Sequence, residues 1–314
     1  MTLEKYFPLE PSEIPTVIRA DGQIQFITGK RLGKGGFASV YTALQMCNGE
    51  LIALKESPHD DKKQSTLSRE AKLVSRFHHP NIPKFIAHVD SAERIVSPHL
   101  KFHYIYDYMA TALVEGQNLK EHLKSWGEAS GHERLSFAIK LGTAVANILT
   151  DLSNQYGVLY RDLTPHNILI GNKGDILLTD FGLLDEVYDS EHGGTAGTPR
   201  YMAPEAVVNY HNHTPQSLVY SLGVILYEVL TGSSPYGDIP TQSPLNTTAK
   251  NAYYLSMMGL PTPLSQHPLS KKLYSPQTLK DLESIQNRAI NTIADQRFST
   301  PLNYAAALNG LKSR

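Results

Sequence analysis

The stretch Tyr160-Arg161-Asp162-Leu163-Thr164-Pro165-His166-Asn167 decides the reading of this chain. It sets a carboxylate and an amide five residues apart, and Asp180-Phe181-Gly182 follows shortly after. Such a set supplies a proton acceptor for a hydroxyl nucleophile and oxygen ligands for magnesium beside a nucleoside triphosphate. The D-x-x-x-x-N spacing alone carries little. Its meaning rests on what flanks it.

Upstream, the chain reads as β-rich. Phe26-Ile27 leads to a glycine cluster, then to Ser39–Leu44, Asn48-Gly49 and Leu51–Leu54. Asn-Gly between two β-prone runs signals a hairpin. The cluster Gly33-Lys34-Gly35-Gly36-Phe37-Ala38-Ser39-Val40 lies between two predicted strands, where small residues let a backbone approach phosphates and offer N–H donors. A hairpin follows it rather than a helix, so it fits neither a dinucleotide fingerprint nor a Walker A loop. Ala53-Leu54-Lys55 ends the next strand. Leu67, Ala71, Val74 and Phe77 suit one face of a helix over 65–77, with Ser65 and Ser68 as candidate caps. That helix carries Glu70, and His79-Pro80-Asn81-Ile82 follows it. Further strands are expected near 85–89 and 103–108. Residues 1–24 lack periodicity and read as an extension.

Downstream, 134–156 is Ala/Leu/Ile-rich and helical. Ile168–Ile170 and Ile176–Leu178 read as a short hairpin, and Leu218–Leu230 as a buried helix interrupted by Tyr220, Ser221, Gly223 and Glu228. Between them stands Gly197-Thr198-Pro199-Arg200-Tyr201-Met202-Ala203-Pro204-Glu205.

In this order the motifs resemble those of the eukaryotic-type (Hanks-type) serine/threonine protein kinases, from roughly Ile27 to Leu311. The resemblance implies an α+β, bilobal protein-kinase fold. A small β-rich N-lobe (about 26–111) with one regulatory helix would join, through a hinge at about 112–116, a larger, mainly helical C-lobe (about 117–312). Residues 1–25 would precede the domain. It implies transfer of the γ-phosphoryl of Mg-ATP to Ser/Thr hydroxyls of proteins. Asp162 would be the base. Lys55 would pair the α/β-phosphates and Glu70, while Asn167 and Asp180 would hold Mg²⁺, with Mn²⁺ as a substitute. The nucleotide would be bound by Leu32, Gly33, Lys34, Gly35, Gly36, Phe37, Ala38, Val40, Ala53, Lys55 and Leu169. Thr198 would hydrogen-bond near Asp162, and Glu205 would pair with Arg297. The form G-T-x-x-Y-x-A-P-E is similar to Ser/Thr rather than Tyr kinases. Small-molecule kinases such as aminoglycoside phosphotransferases share the Asp, Asn and Asp but lack the segment ending in A-P-E.

Four places depart from the family pattern. Tyr160 replaces His at a packing position. Thr164 replaces a Lys that contacts the γ-phosphate, a loss of charge that slows chemistry unless another cation, such as Arg200, compensates. Ala38 stands for a third Gly. Leu218 stands where the family has an Asp whose carboxylate hydrogen-bonds the catalytic-loop backbone. Leu218 cannot do so, and an apolar repacking with Tyr160 is the expectation. The hinge counts back to Thr111 as gatekeeper and Ala112 at the hinge Glu position.

Arg161 makes this an R-D kinase by resemblance, a type switched by phosphorylation of the segment after Asp180. Thr195, three residues before Thr198, and Ser190 are the candidates for autophosphorylation. The alternative to an active enzyme is a pseudokinase serving as a nucleotide-binding scaffold.

Composition sets outer bounds. The chain has 314 residues, 41% hydrophobic and 19% charged, and a net charge of −1, which gives no electrostatic reason for nucleic-acid or membrane binding. Its one cysteine, Cys47, forms no internal disulfide, so a reducing cytoplasm is the expected compartment. Met1–Glu13 does not read as a signal peptide, and no run approaches the roughly 20 apolar residues of a membrane helix. Protein substrates and ATP are the expected partners. No appended sensor module is visible.

Overall fold

A computed structural model of the chain describes residue 6 and residues 16–34, 38–59, 66–95, 104–183, 185–186, 198–209, 212–237 and 261–311. Gly35, Gly36, Phe37, Ser65, Ser190 and Thr195 lie outside them. The chain divides into two compact units, Met1–Glu115 and Gly116–Arg314.

The first unit is built on β-strands: β1 (Val17–Ala20), β2 (Gln23–Lys34), β3 (Ser39–Gln45), β4 (Leu51–Pro58), β5 (Phe85–Ile95) and β6 (Tyr104–Ala112). They close into a barrel in the order β1-β2-β3-β4-β6-β5, every neighbour antiparallel. Closure depends on β1, which pairs with β2 on one side and β5 on the other. The sequence reading places Val17–Ala20 in the extension, because four residues are too short for a period-2 pattern to register. Ile18 is nonetheless fully buried, in a core with Phe26, Ala43, Ile52, Leu54, Ala92, Tyr108 and Ala110. The extension makes a second attachment through Tyr6, whose carbonyl accepts the Lys30 N–H at 2.8 Å and the Thr42 hydroxyl at 3.0 Å. β5 and β6 run longer than expected.

Strand alternation sorts β4. Ile52, Leu54 and Glu56 are buried, and the intervening Ala53 and Lys55 lie on the other face. Glu56 pairs with Arg94 at 2.5 Å through one oxygen of its buried carboxylate, which offsets part of the cost of burying it. Helix α1 (Thr66–Val74) is the one helix among the described residues of this unit. It buries Leu67, Glu70, Ala71 and Val74, one face at helical spacing. Ser68 does not cap it. It is a buried residue within the helix, and its hydroxyl donates to Asp90 at 2.6 Å.

The second unit opens with β7 (Gly116–Asn118) and α2 (Leu119–Lys124). β7 pairs with β9 (Ile168–Gly171), which in turn forms a hairpin with β10 (Ile176–Leu178). A Cβ at Gly116 would lie 2.1 Å from the Ile170 carbonyl oxygen, so only glycine allows this approach. β8 (Val158–Leu159) pairs with β11 (Asp185–Glu186). The helical core holds α3 (Gly131–Tyr156), α4 (Pro204–Val208), α5 (Pro215–Thr231), α6 (Pro268–Leu273), α7 (Pro276–Ala289) and α8 (Pro301–Asn309).

Ser130 and Glu133 form a capping box at the start of α3, and Gly157, at φ +64°, ends it in the left-handed conformation. By length and composition α3 could cross a bilayer, contrary to the expectation that no stretch approaches this. It is a core helix instead, packed on α5 and α8 with half of its most apolar window buried. Helix α5 is buried from Ser217 to Thr231. Gly223 on α5 lets α7 approach, since a Cβ there would meet the Ile290 side chain at 2.7 Å.

Candidate active site

In the first unit, Lys55 and Glu70 are brought together. Lys55 Nζ donates to both carboxylate oxygens of Glu70, at 2.8 and 2.6 Å. Both side chains are nearly shut off from solvent, at 14% and 2% exposure, so removing either strands a buried charge. β-Pairing sets Val40 opposite both Lys55 and Gly33, and Ala53 opposite Thr42 and Thr111. Leu32, Gly33 and Lys34 are exposed at the end of β2, and Ala38 is half-buried.

In the second unit, the loop from Tyr160 to Asn167 lies between β8 and β9. Asp162 Oδ1 accepts the Thr198 N–H and Oδ2 accepts the Asn167 amide, each at 3.1 Å. Asn167 also donates to the Asp162 carbonyl at 2.9 Å. Burial and the charge of Asp180 raise the Asp162 carboxyl above the usual aspartate range, and the bonds from Thr198 and Asn167 offset part of that. Asp180 is exposed and held at φ +60°. A non-glycine residue there costs about 1 kcal/mol or more, which is a mark of functional sites. Leu169, half-buried on β9, stands opposite Asn118 and Leu177.

The donor set fits a hard divalent cation. Asn167 commits its N–H groups to Asp162, which turns its carbonyl oxygen toward other partners. Among the described residues there is no cluster of three or more His, Cys, Asp or Glu. Two protein oxygens completed by phosphate and water suit Mg²⁺.

The frame around the loop is anchored from several sides. The Tyr160 hydroxyl donates to the Thr179 carbonyl at 2.6 Å, and its ring meets Phe181 edge-on at 5.6 Å. Tyr160 thus meets Thr179 and Phe181, the residues on either side of Asp180. Glu205 is gripped by both terminal nitrogens of Arg297, at 2.7 and 2.9 Å, and accepts the Ser217 hydroxyl at 2.8 Å. Arg297 also lies over the Tyr220 ring. Thr164 is buried, and its carbonyl accepts the Asn167 N–H at 3.1 Å. Arg200, the suggested replacement cation, reaches Glu228 at 3.4 Å.

Glu228 is a residue that motif reading passes over. It is buried in α5, accepts the Tyr201 hydroxyl at 3.1 Å and has Lys120 at 3.9 Å. The available signal was a lone carboxylate interrupting an apolar run. His213 is a second such residue, buried beside Arg161 and Glu205.

A model of the protein kinase domain matches residues 26–300. The chain belongs to the protein kinase family. It is 32% identical over 234 residues to a probable serine/threonine-protein kinase PknB of Bifidobacterium longum, covering 72% of this chain and 32% of that protein. It is 30% identical over 225 residues to the serine/threonine-protein kinase PrkC of Bacillus subtilis, covering 69% and 32%. An Aurora kinase of Schizosaccharomyces pombe is 31% identical over 222 residues, covering 69% and 58%. The chain thus spans about a third of the length of these PknB and PrkC relatives.

Proposed function

We propose that the chain is an ATP-dependent serine/threonine protein kinase. The observation that carries this reading is the Asp162 carboxylate, held between the Thr198 main chain and the Asn167 amide. A base so held can orient an acceptor hydroxyl and take its proton. A bond forms from the acceptor oxygen to the γ-phosphorus. The bond from that phosphorus to the β–γ bridging oxygen breaks and ADP leaves. The hydroxyl proton passes to Asp162 and then to solvent.

In this reading Lys55, fixed by Glu70 on α1, neutralises charge on the α/β-phosphates. Asn167 and Asp180 hold Mg²⁺, or Mn²⁺ in its place. A cation held there would supply positive charge to offset that developing on the phosphate oxygens. Leu32, Gly33, Lys34, Ala38, Val40, Ala53 and Leu169 belong to the nucleotide site. The acceptors are Ser and Thr of proteins, with Thr195 and Ser190 of this chain among them. α1 acts as the regulatory helix, because it carries the partner of Lys55. The exposed thiol of Cys47 suits the reducing cytoplasm, and neither nucleic acid nor membrane insertion enters the activity.

The test is transfer of label from γ-labelled ATP to a generic protein substrate, followed by analysis of the labelled amino acid. Label on phosphoserine and phosphothreonine supports the reading. Label confined to phosphotyrosine, or to small molecules, overturns it.

A further inference from the structure

We propose that Lys120 and Arg200 select the protein substrate, by holding an acidic side chain that lies within a few residues of the acceptor Ser or Thr. The proposal rests on the kinase reading and deepens it. Both cations belong to segments that touch the catalytic loop. The Lys120 main-chain N–H donates at 3.2 Å to the carbonyl of Pro165, in the loop that carries Asp162. Arg200 closely follows Thr198, whose N–H donates to the Asp162 carboxylate at 3.1 Å. The two side chains, distant in sequence, converge on one carboxylate, that of Glu228 on α5.

One carboxylate stands there against two cations. Glu228 is buried and already accepts the Tyr201 hydroxyl at 3.1 Å. Arg200 Nη2 lies 3.4 Å and Lys120 Nζ 3.9 Å from its oxygens. Charge-assisted hydrogen bonds run at about 2.7–2.9 Å, so both are looser charge contacts. Arg200 Nε is buried with no hydrogen-bond partner among the described residues. Glu121, next to Lys120, does not make up the difference, because Lys124 takes its carboxylate at 2.8 and 2.9 Å. In the kinase reading Asp162 and Asp180 are committed to the acceptor hydroxyl and the metal cation. Positive charge is therefore left in excess beside the base.

The same unit shows what a structural ion pair looks like. Arg297 is fully buried and grips Glu205 with both terminal nitrogens, at 2.7 and 2.9 Å. The Lys120 and Arg200 side chains keep 36% and 22% of their exposure and reach Glu228 only at a distance. Fastening the segment of Arg200 to α5 accounts for one cation and does not call for the second. An acidic side chain between the two would complete the set: a guanidinium can hold a carboxylate through two N–H bonds, and an ammonium adds a further donor. A basic side chain brought to the same place would meet two like charges, so the pair also rejects the opposite class of substrate.

The test uses the whole chain and peptides that differ only in the residues flanking one Ser: Asp, Ala or Lys. Phosphate transfer to them is measured, and so is binding of the same peptides with that Ser replaced by Ala, read by fluorescence anisotropy. Binding reports the charge preference whether or not phosphoryl is transferred. For wild type, Asp flanks are expected to raise kcat/KM about tenfold or more over Ala flanks, through KM rather than kcat. Lys flanks are expected to fall below both. Raising the salt from about 0.1 M to about 1 M should weaken binding of the Asp-flanked peptide. Lys120→Gln and Arg200→Gln are each expected to reduce the preference. Lys120→Glu should abolish it and raise kcat/KM for the Lys-flanked peptide, a gain that loss of a structural contact does not produce. Equal use and binding of the peptides by wild type overturns the role, as does a preference for Lys flanks, or an unaltered preference in Lys120→Glu that melts at the wild-type temperature. If Lys120→Glu does not fold, Lys120→Gln carries the test: a reduced preference supports the role and an unchanged one overturns it. Preferential binding of Asp-flanked peptides without transfer to any peptide would sink the kinase reading and leave the recognition site standing.

Discussion

One carboxylate oxygen of Asp162 accepts the main-chain N–H of Thr198 at 3.1 Å, across 36 residues of chain. This bond ties the candidate base to the segment that ends in Ala203-Pro204-Glu205. It also sets the base's proton affinity against burial and the charge of Asp180, which together raise its pKa. In the unliganded protein the Asp162 carboxyl should titrate above ordinary aspartates in a ¹³C NMR experiment. Asp180→Asn should move it down. A pKa raised by folding stabilises the protein below the unfolded value, and the benefit is lost as pH rises through the folded value. Asp162→Asn should therefore be more stable than wild type at pH 7, by on the order of 1 kcal/mol, and lose that advantage below the ordinary value of 3.8. Equal stability at pH 7 in chemical denaturation contradicts this.

The Glu205–Arg297 pair should be the strongest single electrostatic contribution to the second unit. The Arg297 side chain is fully buried, and Arg297→Leu strands Glu205. The expected loss is about 3 kcal/mol in denaturant unfolding. Arg297 and Ser217 hold the Glu205 carboxyl below its ordinary value of 4.5. A depressed carboxyl stabilises the fold above the unfolded pKa, and the contribution is lost as pH falls through the folded value. The gap between wild type and Arg297→Leu should thus narrow only below about pH 4.5. A gap constant to pH 3 would show that packing, not charge, accounts for it.

His213 should make stability acid-sensitive in a different window. Its imidazole, facing Arg161, Glu205 and the Tyr160 main chain, is held down to about 4 from 6.5. Between those values the unfolded chain takes up a proton that the folded chain refuses, so stability falls as pH drops. The loss should be on the order of 3 kcal/mol, and His213→Leu should flatten it. Parallel stability curves for the two proteins from pH 6.5 to 4 contradict the assignment.

β1 should be part of the first unit and not a dispensable leader. Ile18→Ala should cost about 2–4 kcal/mol, and deletion of residues 1–25 should open the barrel edge at β5. Melting of the truncated chain at the wild-type temperature would return these residues to the role of an extension.

The legible part of the molecule was the part carried by motif and periodicity. The hairpin of β9 and β10, the long helix α3 and the buried helix α5 follow from their patterns. The Lys55–Glu70 and Glu205–Arg297 pairs join residues that the motifs single out. What stayed hidden depends on contacts distant in sequence. Four residues of β1 carry no period, and only pairing with both β2 and β5 makes them a strand. Ser68 has the composition of a cap, yet the helix extends past it because its hydroxyl finds Asp90. Glu228 and His213 acquire meaning from Tyr201, Arg200 and Tyr160, none of which is near them in sequence.

The decisive measurement is the initial rate of phosphate transfer from Mg-ATP to protein Ser/Thr by wild type, Lys55→Ala and Asp162→Asn, all shown to be folded. Removal of a positioned catalytic group should lower kcat by about a hundredfold or more. Wild type should turn over, and both variants should fall by at least that factor. Equal incorporation by all three proteins, or none by folded wild type with Mg-ATP, would contradict a kinase centred on Asp162.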